Sequence, residues 1–136
     1  MDMYDKKTRS FVMQAVKQRD TKPEMKVRKL LYHAGYRYRL HRKDLPGRPD
    51  IVFPRQRVAI FVHGCFWHQH SGCPRADRPT SNKVFWNKKL DRNVERDKAN
   101  LEALTRMGWN VLIIWECKLK NDGLLDEIKH FLGDAR

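Results

Sequence analysis

The chain contains the segment Phe61-Val-His-Gly-Cys-Phe-Trp-His-Gln-His-Ser-Gly-Cys73, which holds two of its three cysteines and three of its six histidines. The apolar run 58–62 that leads into this segment has the length and the β-branched character of a buried strand. A strand that ends in sulfur and imidazole groups predicts that the sheet and a metal-ligating loop meet at this point.

The spacing of Cys65, His70 and Cys73 is typical of a zinc site. Thiolates and imidazoles are the ligands that zinc prefers in closed tetrahedral sites. Cys117, the third cysteine, supplies a fourth ligand if the strand-like run before it ends beside this loop. His68 competes with His70 for the histidine position. These residues predict a structural zinc site of the Cys3His type.

Two other interpretations of the cysteines remain. They can be buried free thiols beside a solvent-exposed histidine run. A disulfide is favoured less, because the cysteine count is odd, nothing resembles a signal peptide, and a histidine lies between two of the cysteines.

The length and the net charge of the chain limit the number of domains and the kind of partner that we expect. A chain of 136 residues predicts one domain over 1–136 with a substantial core. No apolar run approaches the length of a membrane-spanning helix, so we expect a cytoplasmic protein. The formal net charge of +13 favours a nucleic acid partner, since positive charge on such a surface neutralises phosphates. A membrane surface is favoured less because the charge is spread along the chain, and a basic but indifferent surface is the remaining alternative.

The N-terminal part predicts two helical segments. Residues 1–20 are polar and basic, and they form either a DNA-contacting arm or an ordinary N-terminal helix. Thr21 then caps a second helix, with Pro23 in its first turn and Glu24 at the capping-box position. The helix buries one face and stops at Gly35; the apolar residues of that face are Val27, Leu30, Leu31 and Ala34.

Three strand-like runs follow, at 36–40, 51–53 and 58–62. The last two are expected to pair as a hairpin. That pairing would bring Asp50, which ends the string Pro46-Gly-Arg-Pro-Asp50, to the end of the strand 58–62.

Two aromatic pairs, Phe66-Trp67 and Phe85-Trp86, are predicted to lie on loops, the second within an irregular segment 71–87. Aromatic side chains on a basic loop can stack on bases or open a duplex. The alternative is a small satellite core around the zinc.

The C-terminal half predicts a helix over 88–107, a buried strand over 109–115 and a last amphipathic helix. The long helix places Asn93 and Asp97 one turn apart on one face. Its apolar side is expected to comprise Leu90, Val94, Leu101, Leu104 and Met107. The element order predicts a mixed β-sheet with helices on its faces. A carboxylate entering one strand of a hairpin, followed by functional groups at the end of the next, is how metal-dependent nucleases present Mg²⁺ to a phosphate.

At residues 5–120 the sequence resembles the very short patch repair (Vsr) endonucleases. The strings that carry this resemblance are Gly47-Arg-Pro-Asp50, His63-Gly-Cys-Phe-Trp-His68, Phe85-Trp86, Asn93-Val-Glu-Arg-Asp97 and Trp115-Glu-Cys117. The resemblance implies the PD-(D/E)XK restriction-endonuclease-like fold and Mg²⁺-dependent nicking of DNA beside T:G mismatches. The loop departs from the family at Gln69 and Ser71-Gly72, and one extra residue separates His70 from Cys73.

The resemblance also implies roles for single residues. Asp50 and the carbonyl of Val62 would bind Mg²⁺. His68 would activate water with Asp97 orienting its ring, and His63 would lie near the phosphate. Glu24 would belong to the active site as well as to the helix cap.

Other residues are implied to bind zinc or DNA. The zinc ligands are Cys65, His70, Cys73 and Cys117, and the DNA-contacting residues are Phe66, Trp67, Trp86 and Met13. The E-x-K of the fold is replaced by Phe61-Val62-His63, so a lysine-based mechanism is not available at that position.

The resemblance therefore implies a monomeric bacterial endonuclease that acts on duplex DNA with a T:G mismatch and works beside mismatch-repair proteins. The alternatives are a zinc-stabilised DNA-binding protein without nuclease activity and a nuclease of the same fold with another DNA specificity.

Overall fold

The computed structural model describes residues 20–133. Met13 and residues 1–19 of the expected N-terminal arm lie outside the described residues. The helices of this part are α1 (Lys22–His33), α2 (Lys83–Arg106) and α3 (Leu124–Leu132). The strands are β1 (Arg39–Leu40), β2 (Ile51–Phe53), β3 (Val58–His63) and β4 (Asn110–Trp115), with short 3₁₀ helices at Pro74–Ala76 and Glu116–Lys118. The protein has a mixed α/β architecture.

The four strands form one open sheet in the order β1-β2-β3-β4. β2 and β3 pair antiparallel, which confirms the predicted hairpin, whereas β3 and β4 run parallel and are joined through α2. The parallel register places His63 opposite Trp115. The loops that follow these two residues carry Cys65 and Cys117, so the register brings distant cysteines to the same end of the sheet.

The core lies on both faces of the sheet because side chains alternate along each strand. One face carries Phe53 and Ile60 and packs against α1 and α3. The other face carries Val52 and Ala59 and packs against Leu104 and Trp109. All of these side chains are buried.

Helix α1 begins as predicted. The Glu24 N–H donates to Thr21 Oγ1 at 3.3 Å, so Thr21 is the N-cap. The Glu24 side chain reaches back to accept from the N–H of Asp20 rather than that of Thr21, at 3.1 Å. One carboxylate oxygen therefore serves the helix terminus and the other is left for tertiary contacts.

Three predictions about the elements are wrong in detail. β1 has two residues rather than five, and α2 begins at Lys83, so Phe85 and Trp86 lie in its first turn and not on a loop. On α2, Val94 and Leu101 are exposed, as is Met107. The reason is that the middle of the inner face of this helix is polar, with half-buried Asn93, Asp97 and Asn100.

No helix within the described part of the chain is both long and apolar enough to cross a membrane.

Candidate active site and metal-ligating cluster

Asp50 lies immediately before β2, and its carboxylate faces the end of β3. Its Oδ2 accepts a hydrogen bond from the Val62 N–H at 2.7 Å. Burial, with a further contribution from the neighbouring Glu24 carboxylate, raises the pKa of Asp50 to about 7 against the opposing effect of the Val62 N–H. Two carboxylates side by side in a shielded position favour a cation between them, and carboxylate oxygens are the ligands that Mg²⁺ prefers.

Glu24 is held in place by contacts within α1 and with the loop after β1. Its side chain is almost completely buried, and its Oε2 lies 2.7 Å from His41 Nε2 and 3.3 Å from an Arg28 guanidinium nitrogen. The His41 N–H donates to the Asp50 carbonyl at 3.2 Å, which ties the same loop to Asp50. Glu24 therefore occupies a fixed position beside Asp50.

His68 forms a pair with Asp97 across 29 residues of sequence. His68 Nδ1 lies 2.6 Å from Asp97 Oδ2. An ionised carboxylate only accepts, so Nδ1 carries the proton and Nε2 keeps its lone pair. Asn93, one turn earlier on α2, donates to the Trp67 carbonyl at 3.1 Å. The predicted common face of Asn93 and Asp97 is confirmed, and it holds the loop that carries His68.

His63 stacks on His68 with ring centroids 3.7 Å apart. Burial and, to a smaller extent, the neighbouring His68 lower the pKa of His63 to about 3 against the opposing effect of Asp97, so the ring is neutral at pH 7. Within residues 20–133, His63 Nδ1 is buried and has no hydrogen-bond partner. A buried polar atom in this state is satisfied when a ligand or water contacts it.

The four predicted zinc ligands lie together. Their ligand atoms are all within 4.8 Å of one another, and Cys117 Sγ is 3.4 Å from His70 Nδ1. Tetrahedral zinc with ordinary bond lengths would separate such atoms by about 3.6 Å, so the residues fit the ion. His70 belongs to this cluster, whereas His68 lies in a separate group with His63 and Asp97.

The cysteines of this cluster are not oxidised. All three are free thiols. Burial raises the pKa of Cys65 to about 11, and the side chains of the other two cysteines add to that effect. A zinc ion would reverse this preference, because a coordinated thiol is deprotonated. In the loop between His70 and Cys73, Gly72 adopts a positive φ of 73°.

The aromatic residues form one cluster beside the site. Phe66 and Trp67 are half-buried, whereas Trp86 is only 1% exposed. Ring centroids are 5.0 Å apart for Phe66 and Trp67 and 5.9 Å apart for Trp67 and Trp86. Trp86 is thus the buried ring against which Phe66 and Trp67 pack.

The chain was compared with known proteins. A profile of the DNA mismatch endonuclease Vsr family matches residues 1–74. The nicking enzyme V.XorIIP of Xanthomonas oryzae is 47% identical over 92% of this chain and 91% of its own length. The DNA mismatch endonuclease Vsr of Escherichia coli K12 is 44% identical over 93% of this chain and 81% of its own length.

The chain belongs to the DNA mismatch endonuclease Vsr family. As a member of the Vsr family, it is a DNA endonuclease. The match to the family profile includes Glu24, Asp50 and the whole segment 61–73.

Sequence reasoning missed His41 and Arg78. His41 lies between the strand-like runs 36–40 and 51–53, and its contact with Glu24 spans 17 residues. Arg78 bonds to Gln69, Asn87 and Asp91. No periodic spacing links these residues, so only a prediction of tertiary contacts would have found them.

Proposed function

We propose that the protein is a Mg²⁺-dependent endonuclease that nicks one strand of duplex DNA next to a T:G mismatch in very short patch repair. The observation that carries this proposal is the convergence at the end of β3. There the Asp50 carboxylate is bonded to the Val62 N–H, and the next residue, His63, stacks on His68. A carboxylate beside two imidazoles suits hydrolysis of a phosphodiester.

Asp50 and the Val62 carbonyl would hold Mg²⁺, with water completing the coordination. The raised pKa of Asp50 and the adjacent Glu24 carboxylate support a cation at this position. When bound, Mg²⁺ would stabilise the negative charge that develops on the phosphate. Glu24, fixed by His41 and Arg28, keeps the electrostatic potential around Asp50 negative.

His68 would accept the proton of the attacking water through Nε2. Asp97 keeps the proton on Nδ1 and would stabilise the imidazolium that forms. His63 is neutral, so its ring can donate a hydrogen bond to a phosphate oxygen without competing for the proton.

The fold class and the structural zinc site are also part of this proposal. We assign the sheet to the PD-(D/E)XK restriction-endonuclease-like class, in which Phe61-Val62-His63 replaces the E-x-K triplet. The four-ligand cluster of Cys65, His70, Cys73 and Cys117 would hold a structural zinc ion. Its position at the ends of β3 and β4 would brace the loop that carries His68.

Phe66 and Trp67 would enter the DNA next to the mismatch, because both rings are half-buried and they directly precede His68 in the chain. Trp86 would support them, and Met13 would contribute from the minor groove. A T:G wobble pair is easier to unstack than a matched pair, so insertion costs the least free energy there. The charge of +13 would supply contacts to the phosphates.

The oligomeric state, the cellular location and the partner proteins are proposed on the same grounds. We expect a monomer in the bacterial cytoplasm, where the nicked product would pass to mismatch-repair proteins.

The test is a nicking panel on duplexes that are identical except for one pair: T:G, another mismatch, or T:A. The zinc-loaded protein is assayed with and without added Mg²⁺, beside Asp50→Ala. We expect Mg²⁺-dependent nicking of the T:G duplex, at least about tenfold slower nicking of T:A, and no nicking by the variant. Binding without nicking would favour the inactive DNA-binding alternative. Equal nicking of all duplexes would favour a nuclease of other specificity.

A further inference from the structure

Gln69 lies between two residues with assigned roles, His68 and His70, and has an unusual backbone. Its φ is +50°, a region that favours glycine. Its side chain is extensively bonded: Nε2 donates to the carbonyls of Phe66 at 2.7 Å and Ala76 at 3.0 Å, and Oε1 accepts from Arg78 Nε at 2.9 Å. A side chain with this many contacts at a glycine-like position indicates a specific role.

Arg78 extends this connection to the long helix. Its two terminal nitrogens donate to Asn87 Oδ1 at 2.9 Å and to Asp91 Oδ1 at 2.7 Å. The guanidinium thus uses its planar fork to join the side chain of Gln69 to α2. We name this connection the Gln69–Arg78 bridge.

The bridge completes the attachment of three consecutive residues. Gln69 holds the Phe66 carbonyl, Asn93 holds the Trp67 carbonyl, and Asp97 holds the His68 ring. The backbone that carries both aromatic rings proposed to enter DNA, and the ring of the proposed base, are therefore fixed to α2 by side-chain hydrogen bonds. A shift of this backbone relative to the His68 ring requires at least one of these bonds to break.

We propose that Gln69 and Arg78 are positioning residues that keep the Phe66–Trp67 pair in register with His68, and that they thereby set the preference for mismatched over matched DNA. This inference rests on the proposed function. In this proposal the Gln69–Arg78 bridge aligns the inserted rings with the scissile phosphate. It takes no part in binding either metal. A misplaced ring would lower the rate most where insertion is required, which is at the mismatch.

The experiment compares Gln69→Gly and Arg78→Lys with the wild type. Glycine removes the side chain while it tolerates the backbone, and lysine keeps the charge without the fork. We expect each variant to lower the ratio of T:G to T:A nicking rates by about tenfold. The double variant should show the same loss as either single one, because both act through one bridge. Gln56→Gly and Arg75→Lys are the matched controls and should keep the wild-type ratio.

A second measurement does not depend on nicking. In Mg²⁺-free buffer, 2-aminopurine next to the mismatch reports unstacking by its fluorescence, and we expect less than half of the wild-type increase with Gln69→Gly. Zinc content should stay at the wild-type level. Wild-type nicking with an unchanged ratio in the variants would overturn this inference and leave the proposed function standing. Loss of zinc in Gln69→Gly would also overturn it, whereas a wild type that nicks no duplex would refute the proposed function itself.

Discussion

The sulfur cluster of Cys65, His70, Cys73 and Cys117 and the carboxylate–imidazole centre around Asp50 are built from the chain in different ways. The sulfur cluster draws three of its four ligands from residues 65–73, and its donor atoms close on one another within 4.8 Å. The carboxylate–imidazole centre draws Glu24 from α1, Asp50 from the start of β2, His63 from the end of β3, and Asp97 from α2. The ligands of the sulfur cluster lie mostly close together in sequence, whereas the members of the carboxylate–imidazole centre come together only in the folded chain.

The difference in donors matches the difference between the two proposed roles. The sulfur cluster offers soft ligands with no position left over, as structural zinc requires. The other centre keeps a free ring nitrogen on His63 and a carboxylate with a pKa near 7. Groups held in an unfavourable state by burial and like charge are typical of catalytic sites. Substitutions in the sulfur cluster should therefore lower the stability of the protein, whereas substitutions in the carboxylate–imidazole centre should lower the nicking rate.

The largest effect is expected for Asp50→Asn. The amide keeps the shape and can still accept from the Val62 N–H, but it loses the charge that would bind Mg²⁺. Nicking of the T:G duplex should fall by at least about 1,000-fold, while the melting temperature stays the same or rises because repulsion from Glu24 is removed. Steady-state nicking and thermal unfolding measure the two quantities. Asp122→Asn, an exposed control, should change neither, and an active Asp50→Asn would remove Asp50 from the centre.

Cys117→Ser should act through stability. The loss of one thiolate is expected to cost on the order of 3 kcal/mol of unfolding free energy, a fraction of the roughly 10–16 kcal/mol that a structural zinc supplies. Metal analysis and denaturant unfolding check this, with Ser71→Ala in the same loop as the control. A variant that keeps one zinc per chain and wild-type stability would contradict the assignment of Cys117 as a ligand.

Asp97→Asn tests the orientation of His68. An amide can donate to Nδ1 as well as accept from it, so the proton is no longer confined to that nitrogen. We expect nicking to slow by about 10- to 100-fold, with zinc content and DNA affinity unchanged. Asp126→Asn on α3 provides the matched exposed control. If Asp97→Asn lowered DNA affinity instead of the nicking rate, Asp97 would serve DNA binding and not the base.

The smallest effect concerns pH, where Asp50 and His63 oppose each other in Mg²⁺-free buffer. Asp50 has a pKa of about 7 in the folded protein, above its ordinary value of 3.8, so its contribution to stability is present at low pH and lost as pH rises towards 7. His63 has a pKa of about 3, below its ordinary value of 6.5, so its contribution is present above pH 6.5 and lost as pH falls. The two slopes cancel between about pH 4 and 6.5.

Removing either group should reveal the pH dependence of stability that the other group contributes. From pH 6.5 to 4.5, Asp50→Asn should lose about 1 kcal/mol of unfolding free energy per pH unit relative to wild type, and His63→Gln should gain a similar amount. Denaturant titrations at several pH values measure these slopes. Parallel curves for both variants and the wild type would show that neither group has the shifted pKa.

Some features followed from sequence alone because their geometry is local. The Thr21 cap and the common face of Asn93 and Asp97 depend on helical spacing. The close grouping of Cys65, His70 and Cys73 depends on a short loop. The hairpin of β2 and β3 follows from two apolar runs with a tight turn between them.

Other features were decided by the tertiary structure. The parallel register of β3 and β4 brings Cys117 to His70, and the packing of α1 on the sheet brings Glu24 to Asp50. The burial of Trp86 and the exposure of Val94 depend on how α2 crosses the sheet. Local spacing fixes which side chains of one element share a face. Contacts between distant elements form only when the whole chain has packed, because burial of their apolar faces determines how they meet.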